Sequence, residues 1–225
     1  MAQELERFWL IDKDKLDIDD IKKQARKILE IEQAALPALP NEVHMSGTVL
    51  TIGSVDIPLT VANYYKIEKG ILRGENAFPN DLEIRYRITD AGRQVEKELT
   101  IKGNKLIGKG YTRDEVKVGL SDEYIAKLRE FGKDYLMIKT RLFIPDGDKS
   151  LQFNFYGRPI VSFVMVECEF DTHAQMNDYT LPGPLLKLEP VDMAGGTCFG
   201  DKMLAAEPHK AEAQFAEFKK RQYSR

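Results

Sequence analysis

The sequence of 225 residues has little cysteine and no long apolar run. Its two cysteines, Cys168 and Cys198, are too few for a disulfide framework, and with three scattered histidines they form no spacing typical of a zinc site. No run approaches the roughly 20 apolar residues that span a bilayer, and the first residues contain no apolar core of a signal peptide. We therefore expect a cytoplasmic protein in a reducing compartment, without a membrane partner.

A large excess of one charge is also absent, because 33 Lys+Arg stand against 36 Asp+Glu and give a formal net charge of −3. Such a balance provides no overall basic field, so no duplex nucleic acid is expected as a partner and any polyanion site must be local. The hydrophobic fraction of 43% suffices for a core. Since no repeat or low-complexity tract divides the chain, we expect a single domain over residues 1–225.

Hydrophobic residues recur mostly with the period of two that is typical of strands, which indicates an α+β, mainly antiparallel β fold. A period of 3.6 predicts helices at residues 17–33, 122–131 and 208–223, the last packed on the outside of the sheet. Gly53 and Ser54 suit a hairpin turn, and an atypical insertion is expected within residues 12–66. The predicted β stretches cover residues 3–11, 43–52, 57–69, 82–89, 95–102, 110–118, 135–144, 150–156 and 160–170.

Charged side chains occupy alternate positions of these strands, so each strand has one charged and one apolar face. The charged face could simply be solvated, as in many antiparallel sheets. However, the signs are segregated by strand, whereas a solvated sheet usually alternates them so that charges pair across strands. We therefore favour a closed barrel with the charges turned inward. The charged positions are Glu4, Glu6, Arg85, Arg87, Lys102, Arg113, Glu115, Lys117, Lys139, Arg141, Glu167 and Glu169.

An inward charged face requires a charged ligand, because buried like charges without partners cost several kcal/mol each. A polyphosphate with a divalent metal meets this need. Carboxylates two positions apart on a strand can jointly hold Mg²⁺ or Mn²⁺ through oxygen ligands. Guanidinium and ammonium groups would neutralise the phosphate oxygens.

Six segments resemble, in the same order, the motifs of the CYTH superfamily, also called triphosphate tunnel metalloenzymes. Each motif alone is unspecific, and the specificity comes from the six in sequence. The segments are Glu4-Leu5-Glu6-Arg7 (ExExK), Glu83-Ile84-Arg85-Tyr86-Arg87-Ile88 (RxR), Leu99-Thr100-Ile101-Lys102-Gly103 (LTxKG), Arg113-Asp114-Glu115 (RxE), Lys139-Thr140-Arg141 (KxR) and Val166-Glu167-Cys168-Glu169-Phe170 (ExE).

The resemblance implies an eight-stranded barrel with external helices, whose tunnel binds a small-molecule triphosphate or nucleotide and hydrolyses it with Mg²⁺ or Mn²⁺, in a monomer or homodimer. Residues 64–72 also resemble the second strand of that family. By analogy, Glu4, Glu6, Glu167 and Glu169 would bind metal, and Glu4, Glu6 and Glu115 would be catalytic. The residues implied to bind phosphate are Arg85, Arg87, Lys102, Arg113, Lys139, Arg141 and Lys202.

Three positions depart from the family pattern. Phe8 replaces the Lys of ExExK, Lys117 replaces an acid, and Asn154 stands where Asp is usual. These changes make the tunnel more positive by about +2 and leave fewer oxygen ligands for a metal. The alternatives are a nucleotide- or polyphosphate-binding protein with weakened catalysis and an adenylyl cyclase. A solvated structural domain is a further alternative. Phe8 and Trp9 are interpreted as core rather than base-stacking residues, and Cys168 as a buried inert thiol.

Overall fold

A computed structural model describes residues 3–36, 42–72, 82–107, 111–193 and 201–223. Most of the strands in it are antiparallel, which confirms the predicted α+β class. The strands are β1 (Gln3–Asp12), β2 (Lys27–Ala35), β3 (Val43–Ser46), β4 (Val49–Ile52), β5 (Val55–Pro58), β6 (Glu83–Asp90), β7 (Val95–Ile107), β8 (Tyr111–Gly119), β9 (Leu136–Asp146), β10 (Lys149–Arg158), β11 (Phe163–Phe170) and β12 (Val191–Asp192). The helices are α1 (Ile18–Gln24), α2 (Val61–Gly70), α3 (Asp122–Phe131), α4 (His173–Asp178), α5 (Gly183–Leu186), α6 (Asp201–Ala206) and α7 (Pro208–Tyr223).

The main sheet is large and curled, with the strand order β11-β10-β9-β2-β6-β7-β8-β1-β12. Strand β1 pairs with β8 at its start, where Glu4 lies opposite Arg113. The same strand also pairs with β11, from Leu5 opposite Phe170 to Asp12 opposite Phe163. Strand β1 therefore joins β8 and β11, which lie at the two ends of the series β11-β10-β9-β2-β6-β7-β8.

The prediction of one helix over residues 17–33 is wrong in its second half. Asp17 caps α1 as expected, accepting a hydrogen bond from the Asp20 backbone N–H at 3.0 Å, but the helix ends at Gln24. Residues 27–35 form β2, which pairs with β9 on one side and β6 on the other. The apolar residues here fit either period, and pairing on both edges satisfies the backbone and overrides the helical pattern.

The resemblance of residues 64–72 to a strand is also wrong, because they lie largely within α2, which Thr60 caps by accepting from the Asn63 N–H at 3.1 Å. The strand that precedes β6 in the sheet is β2. Residues 27–35 of the predicted insertion therefore belong to the main sheet.

The β stretch expected at 43–52 is confirmed as β3 and β4, whereas the one expected at 57–69 is wrong because it contains only the end of β5 and most of α2. Strands β3, β4 and β5 form a three-stranded sheet. The turn at Gly53 is confirmed, with a φ of +57° that favours glycine. Leu50 and Ile57 of this small sheet and Ile67 of α2 pack with Tyr86 of β6 in one apolar cluster. This subdomain thus covers the apolar face of β6, β7 and β8.

The apolar face of the strands around β11 is covered by other short helices. Trp9, Phe153 and Val166 form a buried cluster with Met176 of α4, against which Leu185 of α5 packs. The core alternative for Trp9 is therefore correct, since the residue is 3% exposed.

The C-terminal helix has the predicted bounds but not the expected position. Phe215 of α7 packs 5.1 Å from Phe163, ring centre to ring centre. Phe163 alternates along β11 with Met165 and Glu167, so it lies on the face that carries the charges. Helix α7 is therefore not on the outer face of the sheet. It covers one end of the charged face.

Two polar contacts hold α7 in this position. The Glu212 carboxylate accepts from the hydroxyl of Ser162 at 2.6 Å, and Lys219 forms an ion pair with Asp12. Among the residues described, we find no helix with the length and apolar character needed to cross a membrane.

Candidate functional site

The register of the sheet places the predicted charged residues on one face. Residues directly opposite each other in a ladder share a face, and such pairs connect neighbouring strands throughout the main sheet. The linking pairs are Glu6–Glu169, Gln152–Glu167, Asn154–Arg141, Gln33–Met137, Gln33–Arg87, Glu83–Lys102, Lys102–Glu115 and Glu4–Arg113.

Apolar side chains close one end of this charged face, and we call them the apolar floor. In β1, Phe8 and Leu10 follow Glu6 on the same face, and in β11 Met165 precedes Glu167. The residues of the floor are Phe8, Leu10, Met137, Tyr156, Val161, Phe163, Met165, Val191, Met193, Leu204, Ala211 and Phe215.

Arg141 is the centre of a polar network on this face. Its guanidinium donates from Nε to Asn154 Oδ1 at 2.7 Å and from Nη1 to Gln152 Oε1 at 2.5 Å. The third nitrogen, Nη2, donates to Glu167 Oε2 at 2.7 Å. Gln152 in turn donates from Nε2 to Glu169 Oε1 at 2.8 Å. The guanidinium is thus held by two neutral amides and one carboxylate.

Arg87 is held in a similar way on the other side of β2. Its Nε donates to Gln33 Oε1 at 3.0 Å, and its Nη1 lies 3.8 Å from Glu98 Oε1. The neighbouring Arg85 has its Nη1 3.8 Å from Glu83 Oε1 and is 8% exposed. Both arginines of the RxR segment therefore lie on the charged face.

Lys102 and Glu115 form a buried ion pair, with Lys102 Nζ 2.8 Å from Glu115 Oε2. The more exposed Lys117 has its Nζ 3.1 Å from Glu115 Oε1. Burial raises the pKa of Glu115, but the charges and hydrogen bonds of the two lysines outweigh it and lower that pKa to about 2. Glu115 is therefore ionised at neutral pH and is a weak proton acceptor.

Lys139 is almost completely buried, with 1% of the residue exposed. Its Nζ lies 5.7 Å from the ring centre of Tyr156, which belongs to the apolar floor. Arg141 lies two positions further along β9. The KxR segment thus places one cation next to the floor and one farther from it.

The acids predicted to bind metal come from the two neighbouring strands β1 and β11. Glu6 lies directly opposite Glu169, and Glu167 lies opposite Phe8. The carboxylate of Glu167 is bonded to Arg141, as described above. Among the described side chains, no group of three His, Cys, Asp or Glu residues is arranged to hold a metal ion.

Three predicted site residues have side chains outside the described part of the structure, namely Glu4, Arg113 and Lys202. The backbone places Glu4 opposite Arg113 in the β1–β8 ladder, on the charged face. Lys202 lies within α6.

Sequence reasoning missed the amides Gln33 and Gln152 and two further acids of this face. Gln33 was assigned to a helix, so its place opposite Arg87 was hidden. Gln152 could have been found, because it stands two positions before Asn154 in a predicted strand. Glu83 and Glu98 could also have been found from their spacing. Glu83 stands two positions before Arg85 and Glu98 four positions before Lys102, so each shares a strand face with a predicted site residue.

Phe8, which departs from the family pattern, and Cys168, which could be a nucleophile, both lie in apolar surroundings. Phe8 is 7% exposed and lies in the apolar floor, so the position of the family lysine is apolar here. Cys168 is buried, and burial raises the pKa of its thiol to about 12. The interpretation of Cys168 as an inert thiol is therefore supported.

No protein-family model matches the sequence, and no curated protein matches it. Similar solved structures include the inorganic triphosphatase NE1496, with 13% identity and a TM-score of 0.49 over 92% of this chain and 97% of that chain. A candidate adenylyl cyclase from Hippeastrum with a dominant triphosphatase activity has 10% identity and a TM-score of 0.43 over 77% and 82%. A candidate adenylate cyclase from Bacillus halodurans has 12% identity and a TM-score of 0.39 over 79% and 86%.

Because all three TM-scores are below 0.5, these similarities carry no argument about the family or the chemistry of this chain.

Proposed function

We propose that this protein binds a triphosphate-bearing small molecule on the charged face and hydrolyses its terminal phosphoanhydride with a divalent metal. The observation that carries the proposal is the gathering of five cations from β6, β7 and β9 on one face. These cations are Arg85, Arg87, Lys102, Lys139 and Arg141. In this proposal, the circuit of pairings from β1 round to β11 encloses the tunnel that the sequence predicts.

A row of cations suits a triphosphate because the ligand carries several negative charges along a short chain. Arginines bind phosphate oxygens bidentately, and a site with little water makes each charge interaction stronger than in bulk solution. Phosphoryl transfer requires mainly positioning and stabilisation of the charge on the equatorial oxygens. Lys139 would supply that charge next to the apolar floor and Arg141 farther from it, and the floor would also limit access of water from that end.

The acids of β1 and β11 fit a hard cation in their chemistry. Glu6 and Glu169 present two carboxylates across one ladder, and Glu4 shares their face by register. These three residues would hold Mg²⁺ or Mn²⁺, which prefer oxygen ligands. When bound, the ion would neutralise phosphate charge and lower the pKa of a bound water. Glu167 would orient Arg141, and the low pKa of Glu115 favours the positioning of Lys102 over proton transfer.

Phosphate release tests the proposal. Tripolyphosphate, ATP and thiamine triphosphate would each be incubated with the protein and Mg²⁺ or Mn²⁺, and orthophosphate and pyrophosphate measured. We expect orthophosphate from each substrate, with an equal amount of pyrophosphate when the substrate is tripolyphosphate. The rate should fall greatly in Glu6→Gln and should not fall in the control Glu123→Gln, which removes an exposed carboxylate on α3. Pyrophosphate with cyclic AMP from ATP would instead indicate a cyclase. No product from any substrate would contradict hydrolysis.

Binding without turnover is a second candidate function, and the surroundings of Phe8 favour it. The position where the family carries a lysine is filled here by the apolar floor, so one cation near the reacting phosphate is replaced by an aromatic ring. Calorimetry separates the two functions. Tight, salt-sensitive binding of tripolyphosphate without product supports a binding protein.

A further inference from the structure

Three buried amides help to hold two arginines of the charged face, beside the carboxylates Glu167 and Glu98. Gln33 is 1% exposed, Gln152 6% and Asn154 0%. The side-chain oxygen of Gln33 accepts from Arg87, and those of Gln152 and Asn154 accept from Arg141. Each amide therefore fixes the direction of a guanidinium without adding a negative charge beside it.

The amide nitrogens are also engaged, so the oxygens are oriented toward the arginines. Gln152 donates to Glu169 at 2.8 Å, and Gln33 donates to the sulfur of Met137 at 3.7 Å. Asn154 donates to the backbone oxygens of Met165 at 3.3 Å and of Gln152 at 3.4 Å. Reversing any of these amides would place an N–H against a guanidinium, so the network fixes one orientation.

The charge count around Arg141 shows what this arrangement changes. The guanidinium has one carboxylate partner, Glu167, and two neutral partners, so the local charge of this group is zero before a ligand binds. If Asn154 were aspartate, as in the usual pattern of the family, the same group would carry −1. A polyanion would then need a metal ion to offset the additional charge.

We propose that Gln33, Gln152 and Asn154 are positioning residues that hold Arg87 and Arg141 through neutral hydrogen bonds, so that the charged face binds the metal-free triphosphate anion. This inference rests on the proposed function, because it concerns the same ligand and site. It adds that binding of the anion does not require Mg²⁺ or Mn²⁺, whereas turnover does.

Calorimetric titration with tripolyphosphate, in EDTA and in excess Mg²⁺, tests this inference on the full-length protein. The key variant is Asn154→Asp, which keeps the shape of the side chain and adds one charge. A phosphate bonded to Arg141 would lie roughly 6 Å from that carboxylate, so we expect about a 100-fold increase of Kd in EDTA. In Mg²⁺ the increase should be much smaller, because the metal offsets the added charge.

Two further variants separate charge from shape. Asn154→Ala removes the hydrogen bond without adding charge, so its loss of affinity should be smaller and equal in EDTA and Mg²⁺. Gln94→Glu adds the same charge at an exposed turn between β6 and β7, and should bind as the wild type does. Should Asn154→Asp fail to fold, as judged by thermal unfolding, Gln33→Glu beside Arg87 gives the same comparison without altering a partner of the proposed metal ligands.

The outcomes distinguish this inference from the proposed function. If the wild type binds tripolyphosphate only with Mg²⁺, or if the aspartate and glutamate variants bind it in EDTA as tightly as the wild type, the inference is wrong and the proposed function stands. If the wild type binds tripolyphosphate under neither condition, both are wrong.

Discussion

Glu115→Gln is the substitution whose effect on stability can be worked out most fully. The Glu115 carboxylate is 13% exposed and lies between Lys102 and Lys117. Its pKa of about 2, against the usual 4.5, corresponds to about 3 kcal/mol of stabilisation of the folded protein at neutral pH. The substitution also removes the carboxylate partner of Lys102, which is only 5% exposed on its side chain. We expect the free energy of unfolding at pH 7 to fall by about that amount.

The contribution of Glu115 to the free energy of unfolding depends on pH. Because the folded pKa is lowered, the folded protein binds fewer protons than the unfolded chain between pH 4.5 and about 2. The contribution of Glu115 is therefore complete above pH 4.5 and is lost as the pH falls through that interval. The difference between wild type and Glu115→Gln should shrink over the same range.

Urea unfolding at several pH values measures the loss of unfolding free energy at pH 7 and the change of that loss with pH. The matched control is Glu123→Gln, which breaks an exposed i,i+4 pair with Lys127 and should leave the free energy of unfolding nearly unchanged. Equal stability of wild type and Glu115→Gln at pH 7, or a difference that does not change down to pH 2, would refute the assignment of a buried, charge-paired carboxylate.

Three further outcomes follow from the described contacts. Arg141→Met should weaken tripolyphosphate binding by about 100-fold in calorimetry, since the two charge-assisted hydrogen bonds proposed between its guanidinium and a phosphate would be lost. Arg129→Met, at a half-exposed arginine of α3, should not weaken it. Phe215→Ala should lower the free energy of unfolding by about 3 to 5 kcal/mol, because the ring is 3% exposed against Phe163; a loss below 1 kcal/mol in urea unfolding would contradict the packing of α7. Cys168 should not react with an aromatic disulfide reagent at pH 8 until the protein unfolds, because its pKa is raised to about 12. Rapid labelling of Cys168 in the folded protein, detected by mass spectrometry, would contradict this prediction.

The sequence predicts the charged strands well because their signal is local. Arg85 and Arg87, or Lys139 and Arg141, stand two positions apart between apolar residues, and a period of two requires no knowledge of distant partners. The bounds of α3 and α7 were predictable for a related reason. Their apolar residues repeat at helical spacing, with Gly132 and Pro208 marking an end and a start.

The strand β2 could not be predicted from its own residues. Ile28, Leu29 and Ile31 satisfy a helical and an extended pattern about equally, and the choice is made by β6 and β9, far away in the chain. The same error removed Gln33 from the predicted site. Gln33 carries no local signal that it holds a distant arginine, so its bond to Arg87 emerges only from the register of the sheet.

A crystal structure of the protein with tripolyphosphate tests the central claim most directly, namely that the charged face is a triphosphate site. We predict a phosphate chain on that face, with oxygens within hydrogen-bonding distance of Arg87, Lys139 and Arg141. Tripolyphosphate bound elsewhere, with these three side chains still engaged as in the free protein, would contradict it.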